Sequence, residues 1–192
     1  MTKPKPTDPF APIASELKTP SPCTLTLTKK ALSLFKQETI VKNDNDKLFF
    51  KIASSLFSIG HHRVIQDHKG KPIGQFRRNN VPLTCQTFYI GTMDDETICS
   101  MKMKGLLDFT KCEADIYLGD DIIGEVVGMA NSRYFTIKIK NTIVAKIQKK
   151  PLTSFFVEDE TYRIYINEGV DSVFVVMIMI VFDELFNGSN RK

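Results

Sequence analysis

Tryptophan is absent, and no apolar run reaches the roughly 20 residues that a membrane-spanning helix requires. The four cysteines, Cys23, Cys85, Cys99 and Cys112, form no C-x-x-C pair, and no histidine stands at zinc-finger spacing from them. A zinc site is therefore not implied, and reduced thiols in a cytosolic or nuclear protein are the simplest reading. G-x-S-x-G, Walker A and G-x-G-x-x-G are all missing, which removes the usual nucleophile elbow and the phosphate-cradling loops. The N-terminus carries no apolar signal core, and Thr2 excludes an N-myristoylation signal, which needs glycine there.

Neither sign of charge dominates, with 26 basic and 22 acidic residues. The formal net charge is +4, which permits contact with an anionic surface without demanding one. Prolines, in contrast, crowd one end. Six of the nine lie within residues 1–22, and that composition predicts an extended, poorly ordered leader. The remainder, residues 23–188, fits one domain.

The most informative feature present is near the C-terminus. Val173 to Phe182 is an unbroken apolar run inside a segment, 169–186, that reads as one helix with no polar side. Such a helix must be covered all round. Asp171 stands where an N-cap belongs, and Asp183-Glu184 followed by Asn187-Gly188 marks where the helix is expected to re-emerge into water and stop. Burying the ten apolar side chains of this run stabilises by on the order of 15–30 kcal/mol as an upper bound.

The rest of the chain supplies the cover. Period-two segments recur roughly every ten residues, with no β-α-β alternation. Thr24–Thr28 and Ala31–Phe35 alternate on either side of Lys29-Lys30. Hairpins are predicted around Asn43–Lys47, Asp67–Pro72 and Met93–Glu96, the first with Leu48, Phe50 and Ile52 on one face. Inner faces are Ala114, Ile116 and Leu118; Phe135, Ile137 and Ile139; Ile143, Ala145 and Ile147; and Tyr162, Ile164 and Ile166. We therefore expect a mainly β protein, a closed barrel filled by the C-terminal helix, with Val173, Val176, Met177, Ile178, Ile180 and Val181 in its core. Gly119, Gly124 and Gly128 are read as bulges or close packing in strands.

These residues resemble the LURP-one-related family. The likeness is carried by Leu25–Leu34, by the turn and strand Asn43–Ile52, by Val64–Ile73, and by Thr161–Asp171 with the helix that follows. It covers about residues 22 to 186, and Asp46 stands where the family's first turn usually has glycine. The resemblance implies a closed twelve-stranded antiparallel barrel around the helix, a fold shared with the tubby C-terminal domain and predicted for phospholipid scramblases. Some plant members act in pathogen defence, tubby relatives bind phosphoinositides, and scramblases are linked to calcium and lipid movement. Fold kinship alone transfers none of these activities.

Candidate chemistry is sparse. Lys138, Lys140, Lys146, Lys150, Lys102 and Lys104 alternate outward and could meet a phosphorylated lipid headgroup; a solvated exterior is the competing reading. Lys69, Lys71, Arg77 and Arg78 cluster around another hairpin. Glu158-Asp159-Glu160 resembles only part of a scramblase acidic motif and is read as a surface turn, and His61, His62 and His68 as loop residues. No catalytic residue, metal or cofactor is expected. The expected function is a non-enzymatic binding or scaffold barrel in the cytoplasm or nucleus. The alternative is a peripheral protein that binds phosphoinositide or another anionic lipid at the plasma membrane. We expect a monomer that is not integral to a membrane. Nucleic acid is not an expected partner, because only Tyr134, near Lys138 and Lys140, combines an aromatic ring with basic neighbours.

Overall fold

The computed structural model describes residues 8–13, 15–33, 36–54, 62–78, 87–94, 97–104, 111–129, 133–151 and 160–189. The strands are β1 (Cys23–Ser33), β2 (Lys36–Asn43), β3 (Leu48–Ser54), β4 (Arg63–Asp67), β5 (Pro72–Arg78) and β6 (Thr87–Gly91). They continue as β7 (Thr97–Met103), β8 (Lys111–Leu118), β9 (Asp121–Met129), β10 (Tyr134–Ile139), β11 (Thr142–Lys149) and β12 (Glu160–Ile166). One helix follows, α1 (Ser172–Ser189). Each strand pairs antiparallel with the next, and β1 pairs with β12, so the sheet closes on itself. The architecture is a mainly β, closed twelve-stranded barrel with a C-terminal helix.

The helix fills that barrel. Val173, Val176, Met177, Ile178, Ile180 and Val181 have no exposed surface, and neither have Phe174, Val175 and Leu185. Side chains from opposite parts of the wall reach it. Phe135 of β10 meets Phe182 edge-on at 5.1 Å, Arg63 of β4 pairs with Glu184 at 2.8 Å, and the missing side chain of Gly74 on β5 makes room for Met177. Asp171 caps the first turn, with its Oδ1 accepting from the N–H groups of Val173 (2.8 Å) and Phe174 (3.1 Å).

Four sequence expectations change. The two segments on either side of Lys29-Lys30 are one strand, β1. Lys29 does not break it; it follows Leu25 and Leu27 onto the inner face and is 4% exposed. Its ammonium pairs with Asp183, which also accepts from the Tyr162 hydroxyl at 2.5 Å. The end of the apolar run therefore does not re-emerge into water; its carboxylates are gripped by the wall. A bulge between β2 and β3 turns Leu48 outward while Phe50 and Ile52 stay buried. A second bulge between β10 and β11 exposes Ile143 and buries Val144 instead.

The leader differs most. Residues 8–13 and 15–22 do not hang free but strap the end of the barrel where α1 begins, with Pro9, Ala11, Pro12 and Thr19 buried. The Asp171 N–H donates to Phe10 O (2.9 Å), the Ile13 N–H to Asp171 Oδ2 (3.2 Å), and the Thr19 N–H to Val170 O (3.0 Å). Buried helix-end groups need partners, and these supply them. Residues 1–7 lie outside the described residues.

Turn chemistry explains the register. Asn43 Oδ1 accepts from the N–H groups of Asn45 and Lys47, and Asp67 Oδ1 accepts from those of Lys69 and Lys71. The fourth residue of each turn is left-handed: Gly70 at φ 81° and Asp46 at φ 59°. Aspartate tolerates that conformation, so Asp46 takes the place of the glycine in the first turn.

Gly124 and Gly128 prove to be close-packing positions. A Cβ on Gly124 would meet the Lys138 carbonyl oxygen of the paired strand. Backbone cannot rotate away, so Gly124→Ala is expected to lower stability by about 1–3 kcal/mol. The shift in a urea midpoint measures it, and an unchanged midpoint would show that β9 and β10 can part at no cost.

Candidate functional site

Among the described residues, a void inside the barrel lined by Val126, Phe135, Ile137, Ile147, Met179, Phe182 and Asp183 measures ≈ 10 Å³, about the threshold for one water. Among the described residues, no three His, Cys, Asp or Glu side chains converge as a metal site. His61, Glu158 and Asp159 lie outside the described residues. His62 Nε2 is 2.5 Å from Gln75 Oε1, and Glu160 pairs with Lys149 at 2.6 Å.

On the outer surface the six lysines separate into groups. Lys104, just past β7, is 2.9 Å from Glu125, 3.2 Å from Asp115 and 3.8 Å from Glu113. Lys138 on β10 is 3.0 Å from the other oxygen of Glu125. The hydrogen bond from Lys104, followed by that from Lys138, holds the Glu125 carboxyl below its ordinary range, and Glu125 in turn pushes Lys104 up. Lys102 on β7 lies over the Tyr117 ring at 4.6 Å. Lys102, Asp115, Glu125 and Lys138 are successive cross-strand partners. This ladder has a lysine at each end and two carboxylates between them, and Lys104 and Lys138 are held by those carboxylates.

Lys140 stands apart, in the left-handed turn after β10 (φ 47°). Lys146 and Lys150 remain, both exposed. Lys146 is directly opposite Tyr165 of β12, and Gln148 is opposite Arg163. Continuing around the barrel, Tyr165 is opposite Thr24 and Arg163 opposite Thr26 of β1. On the other side, Tyr134 of β10 is opposite Gln148, whose amide donates to the Tyr134 hydroxyl at 3.0 Å. Two rows result: Tyr134, Gln148, Arg163 and Thr26; then Thr136, Lys146, Tyr165 and Thr24. Tyr134 is 61% and Tyr165 40% exposed. No carboxylate occupies either row.

A cleft of ≈ 330 Å³ adjoins this face, lined by Thr24, Thr26, Arg163 and Tyr165 and by Asn43, Asp44 and Asp46 of the β2–β3 turn. Asp44 accepts from the Thr24 N–H at 3.2 Å, and Asp46 pairs with Lys42 at 2.9 Å. A closed barrel has no sheet edge for lysines to guard, so Lys146 and Arg163 are not needed for that purpose.

Sequence reasoning found Lys146 and Lys150 and missed Arg163, Tyr165 and Gln148. Their alternation was visible, with Arg163 and Tyr165 opposing the inward Tyr162, Ile164 and Ile166. Which strands lie beside β12 was not, because β1 is more than a hundred residues away in the chain.

Comparison with known proteins agrees with this architecture. Protein LURP-one-related 10 of Arabidopsis thaliana is 25% identical over 177 residues, covering 86% of this chain and 91% of the relative. Protein LURP-one-related 15 of the same plant is 22% identical over 177 residues, covering 86% of this chain and 81% of its own. An X-ray structure of an Arabidopsis thaliana protein superposes with a TM-score of 0.65 at 16% identity, covering 90% of this chain and 96% of the other; it speaks to the fold alone. The LURP-one-related family model matches residues 23–183. The chain is a member of the LURP-one-related family.

Proposed function

We propose that this protein is a non-enzymatic binding or scaffold module whose partner sits on the outside of the barrel, at the face formed by β10, β11, β12 and β1. One observation carries this reading: the helix occupies the lumen, so the cations and rings available for recognition are those on the wall. The thiols support it as well. Burial pushes Cys99 far up and Cys112 up to about 11, which leaves both poor nucleophiles. No helix among the described residues is long and apolar enough to cross a membrane.

The cations of this face fit an anionic partner. Titration with a sulfated polysaccharide such as heparin tests the charge. Lys146→Glu with Arg163→Glu is expected to weaken binding at least tenfold, and binding should fall as salt rises. Lys104→Gln, at the lysine already paired with Asp115 and Glu125, should change it less than threefold. If the reverse holds, or if binding is unaffected by either change, the face is not the site.

A further inference from the structure

We infer that the face of β10, β11, β12 and β1 binds single-stranded nucleic acid. This rests on the proposal that the face is a binding surface and adds the class of partner. Charge by itself would admit any polyanion. The second component is the pair of exposed rings, Tyr134 on β10 in the first row and Tyr165 two strands away on β12 in the second.

Bases are flat and stack on aromatic side chains, while their phosphates seek lysine and arginine. This face supplies both within one patch. Strand spacing of about 4.8 Å and a rise of about 6.8 Å per two residues put the two tyrosine Cα atoms roughly 12 Å apart, with Lys146, Gln148 and Arg163 between them. A flexible single strand can turn its bases onto two such rings and run its backbone over the cations between. A duplex keeps its bases stacked inside and offers the rings nothing.

The remaining side chains agree. Thr24, Thr26, Thr136 and Gln148 are polar groups that hydrogen-bond phosphates, sugars or base edges. Gln148 holds the Tyr134 hydroxyl and so orients its ring. Asp44 and Asp46 bound the face at the β2–β3 turn. Carboxylates there repel phosphate and accept from base amino groups, which places the backbone on the Lys146 side. A lipid surface fits less well, since the two rows offer hydroxyls and an amide where an inserting face needs apolar side chains.

Fluorescence anisotropy with a labelled single-stranded oligonucleotide, a duplex of equal length, heparin and phosphatidylserine vesicles separates the possibilities. The single strand is expected to bind at least tenfold more tightly than the duplex. Tyr134→Ala with Tyr165→Ala should weaken it by roughly tenfold or more, because both stacking platforms are lost, and leave heparin unchanged. Tyr134→Phe with Tyr165→Phe should retain binding, and circular dichroism confirms that each variant is folded. If heparin binding depends on Lys146 and Arg163 but the single strand shows no preference, or if the tyrosines do not matter, nucleic acid is the wrong partner and the binding face stands. Tyrosine-dependent binding to vesicles would assign the face to lipid instead. If none of the four probes binds, both proposals fall.

Discussion

Val176→Asp is expected to abolish the folded state. Val176 has no exposed surface and lies in the middle of a helix sheathed by the barrel wall. The apolar run itself holds no cation, and among the described residues the cations paired with α1 meet it at its far end, at Asp183 and Glu184. An unpaired buried charge costs on the order of 5 kcal/mol or more even after it takes up a proton. A typical domain has only about 5–15 kcal/mol of net stability. The variant should accumulate as insoluble protein, or as a soluble species without a cooperative thermal transition. Ile178→Asp should do the same. A soluble variant that melts cooperatively near the parent temperature would mean that the helix can leave the lumen while the barrel stays closed.

The second large effect concerns the far end of the same helix. Lys29 and Asp183 are 4% and 9% exposed and face each other across the lumen. Lys29→Met is expected to cost about 3–5 kcal/mol, because it strands a buried carboxylate. Lys29→Met combined with Asp183→Leu should recover most of that loss, since apolar side chains of similar volume replace buried ion pairs at little net cost. Urea midpoints of the single and double variants measure the difference. A double variant whose loss equals the sum of the Lys29→Met and Asp183→Leu losses would show that the pair was never coupled.

Acid should reveal the same pair. Burial works to raise the Asp183 carboxyl, but the charge and hydrogen bond of Lys29, the Tyr162 hydroxyl and the charge of Lys149 together hold it below the ordinary value. A depressed carboxyl binds its proton less tightly in the folded chain than in the unfolded one. Its contribution is complete above the unfolded value of about 4 and disappears as pH falls through the lower folded value. The parent should therefore lose stability steeply below about pH 4, and the Lys29→Met and Asp183→Leu double variant less steeply. Parallel acid limbs would remove the pair from the account.

Much of this architecture was legible without coordinates. The run Val173–Phe182 has no polar side, so only complete enclosure could stabilise it in water. Strict alternation in segments such as Phe135–Ile139 and Tyr162–Ile166 supplied one apolar face each to enclose it. Asp171 and the Asn43 and Asp67 turns were readable because capping and turn chemistry act over a few residues. Charge misled the reading where it was buried. Lys29 kept the inward parity of Leu25 and Leu27, yet its charge read as a break between strands. Asp183 likewise read as a return to water.

Local patterns determined the barrel, its filled lumen and the capped start of its helix, because periodicity and turn preference are encoded in neighbouring residues. The tertiary structure alone decided that Lys29 meets Asp183 from 154 residues away, that residues 8–13 and 15–22 close one end, and that two bulges reassign Leu48, Ile143 and Val144. It also brought Tyr134, Lys146, Arg163 and Tyr165 onto one face. Closure of β1 on β12 set those partners, and partners set which charges cancel and which remain available.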